Sequence, residues 1–264
     1  MSLDRHSARP SASVILARDG ADGLEVFMVR RHARSPVAPS AYVFPGGTVR
    51  PDDADLAPDV DSALLSRALS ERSDAPVEPA EAAAFYVSAL RELFEEAGVL
   101  LVRDATGQLL SVDPSDTTLQ ERLESTRLAL QAQDLSFARV LKDWSWLPAF
   151  DLLMPFSHWV TPRVLAARFD TRFFVAQMPP GQAALHDTIE TSEGVWLSPA
   201  AALGDEYHTV YATAQHLRRL VQFCHAADLL AFAADKPIRR VSPEVIEGAR
   251  GLEVLLPPDV ASHW

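Results

Sequence analysis

Two rhythms of apolar and polar positions run through this chain, and each predicts an element. Dense apolar runs at 12 to 18 (Ala-Ser-Val-Ile-Leu-Ala-Arg) and 24 to 31 (Leu-Glu-Val-Phe-Met-Val-Arg-Arg) flank Asp19-Gly20-Ala21-Asp22-Gly23, which reads as two strands joined by an Asp-Gly turn. Tyr42-Val43-Phe44 predicts a third, short strand leading into Pro45-Gly46-Gly47, where glycines permit close backbone approach. Around Ala89 to Val99 the period lengthens to that of a helix, with Tyr86, Leu90, Leu93, Phe94 and Ala97 on one side and Glu92, Glu95 and Glu96 on the other. Glu78-Pro79-Ala80-Glu81 suits the start of that helix and Gly98 its end, with Val99-Leu100-Leu101-Val102 as the next strand.

Between the glycines and this helix, Pro51 to Pro79 is rich in Asp, Ala, Ser and Pro around a helical Ala63 to Leu69, which marks an insert. Residues 117 to 143 carry helical spacing broken near Asp134-Leu135-Ser136, so two helices are predicted, followed by Trp144, Trp146 and Phe150 as packing aromatics. Strands are expected at Ser157 to Pro162 and Phe169 to Met178, and Glu190 to Gly194 leads into another at Val195-Trp196-Leu197, with Ser198-Pro199 opening a short helix. His208 to Asp235 predicts one long helix whose apolar stripe is Leu217, Leu220, Val221, Cys224 and Leu229, and strand-like tracts recur at Arg239 to Val241 and Leu252 to Leu256. Irregular alternation of strands and helices favours an α/β fold with a mixed sheet covered on both faces. A single domain over residues 1-264, with inserts at about 54-80 and 112-150, is expected.

Charge narrows the functions open to such a chain. A formal net charge of -12 disfavours a broad phosphate-backbone surface, and so nucleic-acid binding. No apolar stretch reaches the roughly 20 residues that span a bilayer, and Met1 to Pro10 lacks a secretory pattern, so no membrane partner is expected. One cysteine, Cys224, excludes an internal disulfide and a Cys-based zinc site; it is expected to be a buried structural thiol in a cytoplasmic protein. The terminal Ser262-His263-Trp264 is not a Ser-Lys-Leu type of address.

The candidate chemistry lies on the helix around residue 92. Three glutamates at i, i+3 and i+4 repel mildly, and two readings follow: a solvated acidic face, or a site where a hard divalent cation and substrate phosphate oxygens reverse the repulsion. Context separates them. Phe44-Pro45-Gly46-Gly47, Asp53 and Arg91-Glu92-Leu93-Phe94-Glu95-Glu96-Ala97-Gly98-Val99 resemble the Nudix hydrolase signature G-x5-E-x7-R-E-U-x-E-E-x-G-U, U being aliphatic. The second half matches throughout. The first departs twice: Asp53 stands where the pattern has Glu, and residues 54 to 90 fill an interval that normally holds seven, with Ala83 where an uninterrupted box would place Glu. An insert inside the box, together with Trp159-Val160-Thr161-Pro162 and Arg168 to Phe174, resembles the Nudix subgroup related to the peroxisomal acyl-coenzyme A diphosphatases.

That resemblance implies a Nudix α/β/α sandwich with helical insertions, and an Mg²⁺- or Mn²⁺-dependent enzyme that splits a diphosphate bond in a small nucleotide-derived substrate. Coenzyme A or its acyl esters are the favoured class, giving adenosine 3′,5′-bisphosphate and a 4′-phosphopantetheine product. ADP-ribose or NADH is the enzymatic alternative, and a noncatalytic ligand sensor is the other. It further implies Glu95 and Glu96 as core metal ligands, Glu92 as a further ligand or proton acceptor, and the Gly46 carbonyl as an added ligand. An extra catalytic acid from a later loop is expected at Glu193, with Glu190 second; either is equally readable as a solvated loop acid. Arg91 is expected to orient the acids through an ion pair. Arg31 and Arg172 are candidate phosphate contacts because a guanidinium suits bidentate binding, and equally readable as ordinary ion-paired arginines. Ser40 stands where the coenzyme A-cleaving motif has Gly.

Overall fold

The computed structural model describes residues 7–187, 189–248, 251–257 and 260; the start of the Met1 to Pro10 stretch and Ser262-His263-Trp264 lie outside them. The two N-terminal apolar runs form β1 (Arg9–Gly20) and β2 (Gly23–Arg31), paired antiparallel across the expected turn. β3 (Tyr42–Val43) and β4 (Gly46–Thr48) follow. The first insert folds as a 3-10 turn (Pro51–Asp59) and α1 (Ser62–Ser70), before α2 (Pro79–Ala97) carries the signature. β5 (Val102–Arg103) precedes α3 (Thr117–Gln131) and α4 (Phe137–Trp144), and then come β6 (Leu147–Pro148), β7 (Met154–Val160), β8 (Phe169–Gln177) and β9 (Thr191–Leu197). The chain continues through α5 (Pro199–Ala202), α6 (Tyr211–Leu220), α7 (Ala226–Asp235), β10 (Arg240–Val241) and the hairpin β11 (Glu244–Gly248) with β12 (Gly251–Leu255). No helix among the described residues is long and apolar enough to cross a membrane.

β1 is the hub of a mixed sheet ordered β10-β7-β8-β1-β2-β3, with β4 added on β1 and β9 on β2. β1 runs parallel to β8 and antiparallel to β2 and β4. Its alternating side chains feed two cores. Ala12, Val14 and Leu16 pack with α2 and the insert helices, whereas Ile15 and Ala17 pack with Leu217, Leu220, Leu229 and Ala233 of α6 and α7. The result is an α/β/α sandwich, as the alternation of elements predicts.

Three expectations need correction. Helix 208 to 235 is two helices, because the Asp19 carboxylate at the end of β1 accepts the Ala226 N–H (2.7 Å) and caps a new start there. The connecting residues leave the core, so Cys224 is exposed rather than buried, as is Val221. Of Val99 to Val102, only Val102 enters a ladder. Leu100 is instead held by the Gln182 side chain, whose amide mimics a neighbouring strand by accepting from its N–H (2.9 Å) and donating to its C=O (2.8 Å).

Candidate active site

α2 begins with Pro79 at its first turn, where no N–H is required, and ends at Gly98, whose φ of 67° closes the helix with its N–H on the Phe94 carbonyl. All side chains from Ala82 to Ala97 are buried, including the acidic ones: Glu92, Glu95 and Glu96 are 6, 2 and 3% exposed. The glutamates do not form a solvent face. The cover is β4, which crosses over the acids; a Cβ on Gly47 would collide with the Glu92 carboxylate, so glycine here lets that carboxylate keep its place. Gly46 donates its N–H to Glu96 Oε2 at 2.8 Å.

Arg91, with no exposed surface, organises the cluster. Its Nε and Nη2 grip both oxygens of Asp53 at 2.8 Å, Nη2 also reaches the Thr48 carbonyl (3.0 Å), and Nη1 donates to Glu92 Oε1 (2.7 Å) and Glu95 Oε1 (3.3 Å). Asp53, the acid at the position where the pattern has Glu, is thus bound to the signature arginine, and the 3-10 turn delivers it. Asp53 Oδ2 also accepts the Arg50 N–H (2.7 Å). The Arg50 guanidinium forks onto Glu95, Nη1 to Oε1 at 2.9 Å and Nη2 to Oε2 at 2.8 Å. From α3, Arg127 Nε and Gln131 Nε2 donate to the Glu95 carbonyl at 2.8 and 2.9 Å, satisfying one of the open acceptors of the last turn.

These partners divide the glutamates. Burial pushes the Glu92 carboxyl up to about 7, opposed by Arg91 and reinforced by Glu95. Burial, then the neighbouring Glu92, holds Glu96 well above the usual range, with the Gly46 N–H opposing. Burial also raises Glu95, against the pull of Arg91 and Arg50. Burial works against the Arg91 charge, but the Asp53, Glu92 and Glu95 carboxylates more than offset it. Four buried carboxylates (Asp53, Glu92, Glu95, Glu96) face two guanidiniums (Arg50, Arg91), a deficit of two positive charges when all are ionised. Nearby Arg31 and Glu190 act on Glu96 with opposite signs, and Arg127 is matched by Glu124 at 3.6 Å.

The deficit equals the charge of one divalent cation, and carboxylate oxygens are the donors such an ion takes. Among the described residues no three acidic or histidine side chains converge as a closed cage. A pair of carboxylates supplemented by substrate oxygens does not require one.

Of the other expected site residues, Arg31 is close enough to Glu96 to draw its pKa down, and its Nε and Nη2 hold the 32 to 40 loop through Val37 O (3.0 Å) and Ser35 Oγ (2.8 Å). Arg172 is not brought to the glutamates. It is buried on β8, donates to the Ala75 carbonyl (3.2 Å) and lies 5.7 Å from the Phe85 ring centroid, roughly 10 Å along α2 from Glu92. Glu193 is not brought there either. It pairs across β2 with Arg30, whose neighbour Met28 of like parity packs on the α6 and α7 side, and it accepts from the Tyr42 hydroxyl at 2.7 Å. Glu190, just before the strand, is the loop acid whose field reaches Glu96. Sequence reasoning missed Arg50, Arg127 and Gln131, whose partners are distant in the chain and whose spacing carries no motif.

A family model described as the NUDT19 Nudix domain matches residues 57–211. The acyl-coenzyme A diphosphatase NUDT19 of Xenopus laevis is 27% identical over 273 residues, covering 89% of this chain and 70% of that protein. Its human counterpart is 28% identical over 278 residues, covering 90% and 72%. Among solved structures, a NUDIX hydrolase from Alicyclobacillus acidocaldarius superposes with a TM-score of 0.65 at 28% identity, over 85% of this chain and 96% of that one. The family match covers more than half of the chain and takes in all of α2 with Arg91 and the three glutamates, which leads to one conclusion: the chain belongs to the NUDT19 Nudix domain family.

Proposed function

We propose that this protein is a divalent-cation-dependent diphosphatase acting on coenzyme A or acyl-coenzyme A, with Mg²⁺ or Mn²⁺ as the ion. The observation that carries the reading is the charge deficit under the Gly46-Gly47 strand, centred on Glu92 and Glu96, in a chain whose relatives are named acyl-coenzyme A diphosphatases. Glu92 and Glu96 would hold the ion, with the Gly46 carbonyl as a neighbouring oxygen. When bound, the ion supplies charge neutralisation at the diphosphate and acidifies water. The chain's own residues do the rest. Arg91, braced by Asp53, fixes the Glu92 rotamer, and the Gly46 N–H fixes Glu96. Arg31 offers a guanidinium on the Glu96 side for a substrate phosphate. Water adds to one phosphorus as the bridging P–O bond breaks, and a carboxylate takes the proton. Glu190 takes the place of Glu193 as the loop acid for that task, because its charge acts on Glu96 whereas Glu193 is engaged by Arg30 and the Tyr42 hydroxyl.

The test is turnover of a panel of coenzyme A, acyl-coenzyme A, ADP-ribose and NADH with Mg²⁺ or Mn²⁺, with products resolved by chromatography. Adenosine 3′,5′-bisphosphate appearing with a 4′-phosphopantetheine species, and vanishing in Glu96→Gln, is expected. Cleavage of ADP-ribose or NADH alone would overturn the substrate class, and inactivity on every member would favour a sensor.

A further inference from the structure

Glu95 differs from its two neighbours in having no carboxylate oxygen without a protein partner. Both carboxylate oxygens are taken by the Arg50 fork, and its backbone carbonyl by Arg127 and Gln131 of α3. Among the described residues, Glu92 has one oxygen bonded to Arg91, and Glu96 one bonded to Gly46, so each keeps an oxygen without a protein partner. Arg50 is itself fixed from two sides. Its backbone is tied to Asp53 in both directions (Arg50 N to Asp53 Oδ2, 2.7 Å; Asp53 N to Arg50 O, 3.1 Å), and its Nη1 also donates to the Leu130 carbonyl at the end of α3 (3.0 Å). The second insert thus clamps Glu95 twice, through its backbone directly and through its side chain by way of Arg50.

We propose that Arg50 is a resident counter-ion that reserves Glu95, so that the substrate-free protein binds one divalent cation on Glu92 and Glu96 and none on Glu95. The inference rests on the cation-dependent reading above and exchanges Glu95, which the resemblance implies as a core ligand, for Glu92. Arg50 is a positioning residue in this account. It neutralises Glu95 with a fork that a metal would have to displace along with the Leu130 hydrogen bond.

Mn²⁺ binding to the full chain without substrate, followed by electron paramagnetic resonance and titration calorimetry, tests this. The wild type is expected to bind one ion. Glu95→Gln should leave that affinity within about twofold, whereas Glu92→Gln and Glu96→Gln should each weaken it by about tenfold or more, at least the loss seen when outer partners of a metal site are removed. Arg50→Ala should admit a second ion, and Arg50→Ala/Glu95→Gln should return the count to one. Arg50→Lys, which keeps the charge but not the fork, guards against a folding failure of the alanine variant and should bind the second ion more weakly than Arg50→Ala does. A merely structural Arg50 predicts the opposite sign, weaker Mn²⁺ binding in Arg50→Ala, and that result would overturn the proposal. So would a wild type that binds two ions and loses one in Glu95→Gln. A wild type that binds no Mn²⁺ sinks the cation site and this inference together, whereas one ion in both the wild type and Arg50→Ala sinks this inference alone.

Discussion

Replacing Asp53 with Asn tests whether the first half of the signature survives in altered form. Asp53 is 1% exposed and accepts three hydrogen bonds, two from Arg91 at 2.8 Å and one from the Arg50 backbone at 2.7 Å. Asn keeps one acceptor oxygen but turns an N–H₂ toward donors, and it removes the charge that best matches the guanidinium. Breaking a buried ion pair costs about 3–5 kcal/mol. Arg91 retains Glu92 and Glu95, and the site's negative excess falls by one, so the expected loss sits at the low end, about 3 kcal/mol. In a chain of this size that lowers Tm by about 6–10 °C. Calorimetry in EDTA reads it directly. The double variant Asp53→Asn/Arg91→Met should lose less than the sum of the single variants, with a coupling of about 2 kcal/mol, because the pair shares one interaction. A loss below about 1 kcal/mol in Asp53→Asn, or strict additivity in the cycle, would refute the brace, since a solvated or redundant pair behaves that way.

Gly47→Ala should leave Tm little changed while reducing kcat about 100-fold, because the new methyl displaces a catalytic carboxylate rather than the backbone; unaltered turnover of the variant would contradict the close crossing of β4. His216 is fully enclosed, with Nδ1 on the Ala212 carbonyl and Nε2 on the Ser157 hydroxyl, both at 2.7 Å; burial depresses its pKa to about 3, opposed by the Ala212 bond. The unfolded chain therefore binds the extra proton first, so stability is complete above about pH 6.5 and drains as pH falls toward 3, by about 3 kcal/mol at pH 4. Urea midpoints across pH 4–7 should show a flatter acid limb in His216→Gln, and parallel limbs would exclude His216 as a source. Ser40 holds a left-handed φ of 60°, the conformation for which glycine is suited, so Ser40→Gly should stabilise the protein by about 0.5–1 kcal/mol in the same assay; a loss would mean that its side chain compensates for the strain.

Local rhythm made α2 legible from Pro79 to Gly98, together with β1, β2 and α4, because their apolar positions recur at the period of the element they form; α3 was legible by its period alone, since it buries only Arg127 and Leu130 and leaves Leu128 exposed. What spacing could not declare was set by partners far along the chain. Asp19 starts α7 from more than 200 residues away and so splits the expected long helix. Pairing with β2 places Glu193 opposite Arg30 and on the Tyr42 hydroxyl, whereas Glu190, just before β9, is the acid whose charge acts on Glu96. Helical periodicity separates the acidic side of α2 from its apolar side but says nothing of β4 lying across that acidic side, and it makes Glu92, Glu95 and Glu96 equivalent. Their difference comes from an arginine three residues past the second glycine and from the end of α3, both supplied by loops and inserts that a linear motif skips. The signature therefore reports that carboxylates gather here. Which of them remain open to a cation is decided by the guanidiniums that the fold brings in.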